Sequence, residues 1–306
     1  MFNRSPRICL TVTFLATVGS MIYFMRIYSI EEMKQSLIED QAVMALKPYI
    51  KSFTKLIEIP EKKTNTIIQS YSQAGQEKAV FDILPIKNGF FVEMGAYDGQ
   101  TFSNTLWLEK KHDWTGLLIE ANPELCSVID KLHRMAWRLC ACISNAKQLT
   151  FIPQGAVGGV SELINEKVRA KMNTDRTVTV PCFRLQTVMD YLKRTRINYF
   201  SLDVEGGELS VLETMKDALK SRDIIVDVWT IEYRVWDGTK KIIQDSLRNL
   251  ENLRKYFKYI GGYVEHSQLS NDDQKQDGLA LDVVFVDVET WCKTHKLLPN
   301  GQKCAR

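Results

Sequence analysis

Apolar runs of strand length alternate with segments of helix length through most of this chain, and this alternation most constrains its fold. Seven apolar runs suit buried strands: 89–94, 115–120, 137–142, 197–203, 223–232, 259–265 and 279–287. Helical segments follow most of them, at 102–110, 123–135, 207–219 and 240–257. Strands separated by helices of this length pair in parallel through right-handed crossovers, and helices then cover both faces of the sheet.

The last two strands differ from the others, because no helix separates 259–265 from 279–287. Consecutive strands without a crossover helix pair antiparallel, so these two are expected to form a hairpin at one edge of the sheet. The sequence therefore predicts an α/β, Rossmann-like fold. Its sheet has seven strands, is mostly parallel and has an antiparallel last strand.

The stretch FFVEMGAYDGQTFSNT, residues 90–105, joins the first of these strands to its helix. In an open parallel sheet, ligands bind beyond the carboxyl ends of the strands. Glycines at such a turn permit a tight bend or the close approach of a ligand, and a carboxylate accepts hydrogen bonds from it. The cofactor-binding residues predicted here are Glu93, Gly95, Ala96, Asp98 and Gly99.

A second acid, Glu120, ends the next strand, 27 residues after Glu93. A carboxylate at this place commonly accepts hydrogen bonds from both ribose hydroxyls of a nucleotide. Glu120 and the nearby Asn122 therefore join the predicted cofactor site, although either acid alone is weak evidence and a tight turn is the alternative. A dinucleotide is disfavoured, because residues 96–98 do not preserve the G-x-G-x-x-G pattern.

The N-terminus carries an 18-residue stretch without a charge, from Ile8 to Met25. At about 1.5 Å per residue it spans roughly 27 Å, close to the thickness of a bilayer core. Arg4 and Arg7 precede it, and this excess of positive charge predicts a cytoplasmic N-terminus with the rest of the chain across the membrane. A cleaved signal peptide and a buried helix are the alternatives.

The predicted organisation therefore has five segments. They are a cytoplasmic tail at 1–7, a transmembrane signal anchor at 8–28, a stalk or linker at 29–70, a globular domain at 71–288 and a C-terminal tail at 289–306. Apolar spacing predicts a helix within 30–46, and Ser72 is the expected cap of the first helix of the globular domain. This organisation predicts a single-pass type II membrane protein of the endoplasmic reticulum or Golgi, with its domain in the lumen.

Six of the seven cysteines follow the predicted anchor, an even number that permits disulfides in an oxidising compartment. Cys292 and Cys304 could close the tail, while buried free thiols are an equal alternative. No C-x-x-C pair is present and no metal is predicted. The net charge is only +3 and no basic block is interleaved with aromatic residues, so no nucleic-acid partner is expected.

Taken together, these motifs resemble the FkbM-type methyltransferase family over roughly 70–287. The resemblance is carried by YSQAGQEKAVFDIL, GFFVEMGAYDGQTFSNTLWLE, WTGLLIEANP and YFSLDVEGGELSVL. It looks most like the animal membrane-anchored branch that contains the protein Star, which is associated with cargo export. The resemblance implies a methyltransferase fold that binds S-adenosyl-L-methionine at Glu93, Gly95, Gly99 and Glu120. It also implies that residues 203–206 lie beside the transferred methyl group.

Asp203, Glu205 and Glu232 are the candidate catalytic residues, and Asp203 is also a candidate for cofactor binding. Methyl transfer is an in-line displacement from a sulfonium, so the protein mainly aligns the reactants, and an alcohol acceptor also benefits from a base. The alternative roles are helix capping for Glu205 and an ion pair with Arg234 for Glu232. A lone histidine, His266, is a weaker candidate for the base.

Two functions remain open at this point. The first is a membrane-anchored, S-adenosylmethionine-dependent methyltransferase that acts on oxygen or nitrogen. The second is a Star-like trafficking factor that carries cargo from the endoplasmic reticulum to the Golgi without required catalysis. Because the cofactor is charged and is made in the cytosol, a lumenal enzyme needs a supply across the membrane. The expected partners are the membrane and either an unknown methyl acceptor or a membrane-protein cargo.

Overall fold

The computed structural model describes residues 33–34, 37–52, 70–132, 134–237, 239–270 and 280–304. The chain divides into two compact units, Met1–Leu46 and Lys47–Arg306. In the first unit, residues 37–46 form a helix, within the segment whose apolar spacing predicts one. The predicted membrane anchor lies outside the described residues. Among the helices that are described, none has both the length and the apolar character needed to cross a membrane.

The second unit contains two sheets. Its strands are β1 (Ile50–Ser52), β2 (Phe90–Met94), β3 (Thr115–Glu120), β4 (Ala136–Cys140), β5 (Cys142–Ile143), β6 (Gln148–Ile152), β7 (Gly159–Val160), β8 (Val178–Phe183), β9 (Arg196–Leu202), β10 (Ile225–Glu232), β11 (Tyr263–Leu269) and β12 (Asp282–Asp287). Eight of them form one sheet in the order β1-β4-β3-β2-β9-β10-β12-β11, and four form a smaller sheet in the order β5-β8-β6-β7.

Helices connect most strands of the large sheet. They are α1 (Gln76–Ile83), α2 (Leu106–His112), α3 (Pro123–Leu132), α4 (Glu166–Arg169), α5 (Leu185–Tyr191), α6 (Glu208–Thr214), α7 (Lys216–Ser221), α8 (Ile243–Ile260) and α9 (Val288–Cys292). The predicted cap of α1 is wrong by three residues, since Gly75 precedes the helix with a φ of 72°. The Ser72 hydroxyl instead donates a hydrogen bond to the Glu77 carboxylate.

The centre of the large sheet is parallel, as the alternation of strands and helices predicts. Strands β4, β3, β2, β9 and β10 pair in parallel with one another, in this order. All residues of β2 are buried, which explains why its sequence is an apolar run rather than an alternating one. Phe91, Trp114 and Tyr199 belong to the core cluster that packs against this sheet. These strands therefore form a rigid platform whose carboxyl ends meet at one edge.

The two edges of the large sheet are antiparallel. β12 pairs antiparallel with both β10 and β11, so the predicted terminal hairpin is confirmed. Its first strand begins at Tyr263 rather than at residue 259, because α8 continues to Ile260 before Gly261 ends it. At the other edge, β1 pairs antiparallel with β4. The sheet consequently has eight strands instead of seven, and part of the predicted linker belongs to it.

The smaller sheet lies within the segment between β4 and β9, where the sequence analysis predicts no strand after residue 142. The six cysteines outside the predicted anchor form three disulfides, Cys126–Cys140, Cys142–Cys182 and Cys292–Cys304. The Cys142–Cys182 bond joins β5 to β8, its neighbour in this sheet. The predicted closure of the C-terminal tail by Cys292 and Cys304 is confirmed.

Candidate functional site

Three neighbouring strands of the large sheet end at the same level, and this register assembles the site. Met94 of β2 lies opposite Ile119 of β3 and Leu202 of β9. The residues that follow these positions, Gly95, Glu120 and Asp203, therefore meet at one edge of the sheet. They line a cavity of about 570 Å³, a volume within the range of small-molecule sites.

Most of the residues predicted from the sequence line this cavity. Those inside it are Glu93, Gly95, Ala96, Glu120, Asp203, Glu205 and Glu232. Asp98, Gly99 and Asn122 do not line it. The Asp98 carboxylate accepts hydrogen bonds from the backbone of Gln100 and Thr101, and it stabilises the turn instead. Glu93 and Glu120 thus line the same cavity, whereas three of the predicted residues lie outside its lining.

Gly95 permits a close approach between two parts of the backbone. Its φ is 84°, and a Cβ added there would overlap the carbonyl oxygen of Asp203. The backbone N–H groups of Gly95 and Ala96 both donate to the carbonyl of Ile119. Gly95 therefore brings the end of β9 against the turn after β2. This is a different reason for glycine than the ligand approach predicted from the sequence.

Glu93 organises the loop that follows β2. Its carboxylate accepts hydrogen bonds from the Ser103 hydroxyl (2.9 Å), the backbone N–H of Asn104 (2.7 Å) and the Thr105 hydroxyl (2.5 Å). The guanidinium of Arg134 lies 3.6 Å from it. Burial raises the pKa of Glu93, and the charge of Arg134 opposes this rise. Because these partners occupy both oxygens, Glu93 acts on the cavity by fixing the loop.

Arg134 is a buried residue that the sequence analysis does not single out. Its side chain is 1% exposed and forms an ion pair with Glu109 at 2.8 Å. It also donates to the Gly99 carbonyl and to the hydroxyls of Ser103 and Thr105. A guanidinium with four hydrogen bonds of this kind ties the loop to α2. No sequence motif marks this role, because it depends on partners 25 to 35 residues away.

Glu120 faces the cavity with a carboxylate that the backbone holds in place. It accepts hydrogen bonds from the N–H groups of Tyr97 (2.9 Å) and Asn122 (2.8 Å). Burial raises the pKa of Glu120 to about 7, and these backbone hydrogen bonds only partly oppose it. A carboxylate can accept about four hydrogen bonds in all, so these bonds leave it capacity for a further donor. Glu120 is thus a preorganised acceptor for a ligand that donates two hydrogen bonds.

The raised pKa of Glu120 predicts a pH dependence of stability. The protonated carboxyl stabilises the folded state fully below pH 4.5, and this stabilisation is lost as pH rises towards 7. The free energy of unfolding of the wild type should fall by up to about 3 kcal/mol as pH rises through this window, and Glu120→Gln should remove this decrease. Urea unfolding at pH 5 and pH 8 measures the change in the free energy of unfolding between these two values. The exposed Glu124→Gln is the control, and identical slopes for wild type and Glu120→Gln would contradict the assignment.

A group of carboxyls lies on the other side of the cavity. The carboxyls of Asp203 and Glu232 share a hydrogen bond, and Glu208 accepts from the backbone N–H groups of Val204 and Gly206. Burial, followed by repulsion from Asp203, raises the pKa of both Glu205 and Glu232. Oxygens of Asp203, Glu208 and Glu232 lie within 4.8 Å of one another, a spacing that would allow them to ligate one divalent cation.

Neither predicted alternative role is found among the described residues, since no ion pair joins Glu232 to Arg234 and Glu205 does not cap the helix. Glu208, rather than Glu205, accepts from the backbone at the start of α6. Glu205 has a φ of 57°, so the extended geometry that would align it with Asp203 does not persist beyond β9. Both side chains nevertheless line the cavity. His266 does not line it and instead packs edge-to-face against the ring of Trp291.

Asn104 is a further cavity residue that the sequence analysis does not assign. It is 8% exposed, and its Nδ2 donates to the Ser201 hydroxyl at 2.8 Å. In the part of the chain that the structure describes, its Oδ1 has no hydrogen-bond partner. A buried acceptor without a partner is costly, and such groups mark places where a donor binds. Asn104 therefore indicates a ligand with an N–H or O–H group.

Comparisons with solved structures find methyltransferases at low sequence identity. A TehB-like SAM-dependent methyltransferase from Corynebacterium glutamicum is 12% identical, with 69% of this chain and 87% of that chain covered and a TM-score of 0.35. The human methyltransferase 10 domain containing protein is 11% identical, with 82% and 96% covered and a TM-score of 0.35. The plantazolicin methyltransferase BpumL, solved in complex with SAH, is 9% identical, with 70% and 82% covered and a TM-score of 0.36.

A comparison with curated proteins finds no match. The sequence profile described as "Methyltransferase FkbM domain" matches residues 93–261, which is more than half of the chain. The matched region starts at Glu93 and includes Glu120, Asp203 and Glu232. It thus spans the carboxylates of the cavity. The chain belongs to the FkbM methyltransferase domain family.

Proposed function

We propose that this protein is an S-adenosylmethionine-dependent methyltransferase that transfers a methyl group to an oxygen or nitrogen of its acceptor. The carboxylate of Glu120 carries the proposal. It ends β3, next to the turn after β2, and both of its oxygens are held by backbone N–H groups towards the cavity. A ribose diol donates two hydrogen bonds, and a carboxylate in this place of a nucleotide-binding sheet accepts both.

The residues of the cavity fit the cofactor in two further respects. The unpartnered Oδ1 of Asn104 suits an ammonium group, which the methionine end of the cofactor carries. The sulfonium is positively charged, and the carboxyls of Asp203, Glu205 and Glu232 line the same cavity. Opposite charges in a partly desolvated cavity attract more strongly than in water. The cavity therefore favours a cationic nucleoside over an anionic one.

In the proposed reaction, the bound cofactor supplies an electrophilic methyl group on its sulfonium. Asp203 and Glu232 share a hydrogen bond beside this place, so the pair can accept the proton that an alcohol or amine acceptor releases. Glu120 would hold the nucleoside in one orientation through its ribose. Alignment of this kind supplies much of the rate enhancement in a displacement reaction.

The proposed location is the lumen of the endoplasmic reticulum or Golgi, behind a type II membrane anchor. The uncharged run from Ile8 to Met25 supports the anchor. The three disulfides support an oxidising compartment, since disulfides rarely persist in the cytosol. The relation to the Star-containing branch rests on the same features. Nothing in the described residues favours the cargo-escort alternative over catalysis.

Substitution of Glu120 tests the proposed cofactor site. We expect Glu120→Ala to weaken binding of S-adenosylmethionine to the full-length protein by roughly 10- to 100-fold, because two charge-assisted hydrogen bonds are lost. Isothermal titration calorimetry measures the affinity. The matched control is Glu124→Ala, which removes the same charge from an exposed position on α3. Equal affinities for the two variants would contradict the assignment of Glu120 to the ribose.

A further inference from the structure

Arg234 is a cation in the cavity wall that makes no direct ion pair with any described residue. It follows β10 by two residues and lines the main cavity together with a smaller cavity of about 100 Å³. Its Nε is buried and has no hydrogen-bond partner, and among the described residues its guanidinium forms no hydrogen bond or ion pair. Unsatisfied buried donors are rare in native proteins, so this arrangement requires an explanation.

The neighbouring carboxyls of Asp203, Glu232 and Glu208 have hydrogen-bond partners other than Arg234. Asp203 and Glu232 are hydrogen-bonded to each other, and Glu208 accepts from backbone N–H groups. Burial raises the pKa of Asp203 and Glu205, and the charge of Arg234 opposes this rise. The guanidinium thus acts on these acids only through its electric field. Its N–H donors remain available to a molecule in the cavity.

The surroundings of Arg234 suit an oxyanion of limited charge. A guanidinium presents planar pairs of N–H donors that match both oxygens of a carboxylate. Lys241 also lines the main cavity. Glu205 and Glu232 lie in this wall too, so a doubly charged phosphate meets more repulsion than a carboxylate. A singly charged, planar group is the best match.

We propose that the methyl acceptor carries a carboxylate and that Arg234 binds this group. The inference rests on the proposed methyltransferase function and specifies its substrate class. Trp236 is 38% exposed and lines both cavities, so it offers an apolar surface to the rest of the acceptor. With the carboxylate on Arg234, the acceptor lies beside the hydrogen-bonded pair of Asp203 and Glu232. Arg234 is therefore a specificity residue for the acceptor and does not contact the cofactor.

Calorimetric titration of the full-length protein with lactate, a small hydroxycarboxylate, tests this inference. Lactate is titrated with and without S-adenosylhomocysteine, and inorganic phosphate and chloride are titrated in parallel. We expect saturable lactate binding in the millimolar range, with phosphate and chloride weaker. Arg234→Met and Arg234→Lys should each weaken lactate binding at least tenfold, because lysine keeps the charge but lacks the paired planar donors. The exposed Lys240→Met removes one charge nearby and should change nothing.

Four outcomes of these titrations would show that Arg234 is not a carboxylate-binding residue. Absence of lactate binding, tighter binding of phosphate, or full binding by Arg234→Met would overturn it. Unchanged binding by Arg234→Lys would also overturn it, because Arg234 would then be a counter-ion only. The affinity for S-adenosylhomocysteine should stay within about twofold in the Arg234→Lys variant, which shows that the cavity is intact. If the wild type does not bind S-adenosylhomocysteine, the proposed function is contradicted. The lactate titration without S-adenosylhomocysteine still shows whether Arg234 binds a carboxylate.

Discussion

Replacement of Gly95 by alanine should leave the chain without a folded site. At a φ of 84° the residue has a backbone conformation that residues with a Cβ rarely adopt. The new Cβ would also overlap the carbonyl oxygen of Asp203. The clash is with backbone, so a side-chain rotation cannot relieve it. The ends of β2 and β9 would have to separate, and the N–H of Asp203 would lose its bond to the Met94 carbonyl. We expect the free energy of unfolding to fall by at least about 3 kcal/mol.

Urea unfolding of the Gly95→Ala protein measures this loss. Gly75→Ala is the matched control, because Gly75 has a similar φ of 72° but no atom within 4 Å of an added Cβ. Strain without a clash should cost only about 1 kcal/mol. The difference between the two variants isolates the close approach of β9. Equal, small losses in both would mean that the turn after β2 does not need to contact the end of β9.

Substitution of Glu232 by glutamine should remove most of the methyl-transfer activity and weaken cofactor binding by no more than a few-fold. Glutamine can still donate a hydrogen bond to Asp203, but the pair can no longer accept the acceptor's proton in the same way. A positioned general base contributes about 10²- to 10⁴-fold to a rate. The rate is measured as transfer of labelled methyl groups from S-adenosylmethionine into a secretory-membrane extract by the full-length protein.

Calorimetry on the same preparations separates chemistry from binding. The affinity of Glu232→Gln for S-adenosylmethionine should stay within a few-fold of the wild type, because Glu120 and Asn104 are unchanged. Glu213→Gln, an exposed change of the same kind on α6, should match the wild type in both assays. Wild-type labelling by Glu232→Gln would exclude Glu232 from proton transfer.

The position of the site could be predicted because it depends on the regular part of the fold. Apolar runs at 89–94 and 115–120 mark parallel strands, and parallel strands present their carboxyl ends at the same edge. The acids near the ends of these two runs, and Asp203 at the end of the run 197–203, must therefore come together. Glu93, Glu120 and Asp203 do line one cavity. The role of Glu93 differs, because hydroxyl and backbone donors from residues 103–105 surround its carboxylate.

The residues that could not be predicted depend on contacts between distant parts of the chain. Arg134 lies in an ordinary stretch before β4, yet it satisfies the loop after β2. Asn104 and Arg234 are notable only because particular atoms lack partners, and a sequence does not show which partners a fold provides. The short strands of the smaller sheet were missed for a related reason. β5 and β7 are two residues each, too short for a periodic pattern.

A crystal structure of the full-length protein with S-adenosylhomocysteine would test the central claim most directly. The account predicts that the nucleoside occupies the cavity at the ends of β2, β3 and β9, with both ribose hydroxyls within hydrogen-bonding distance of the Glu120 carboxylate. It also predicts a donor of the ligand near the Oδ1 of Asn104. A nucleoside bound elsewhere on the molecule, or a ribose that does not contact Glu120, would contradict the account.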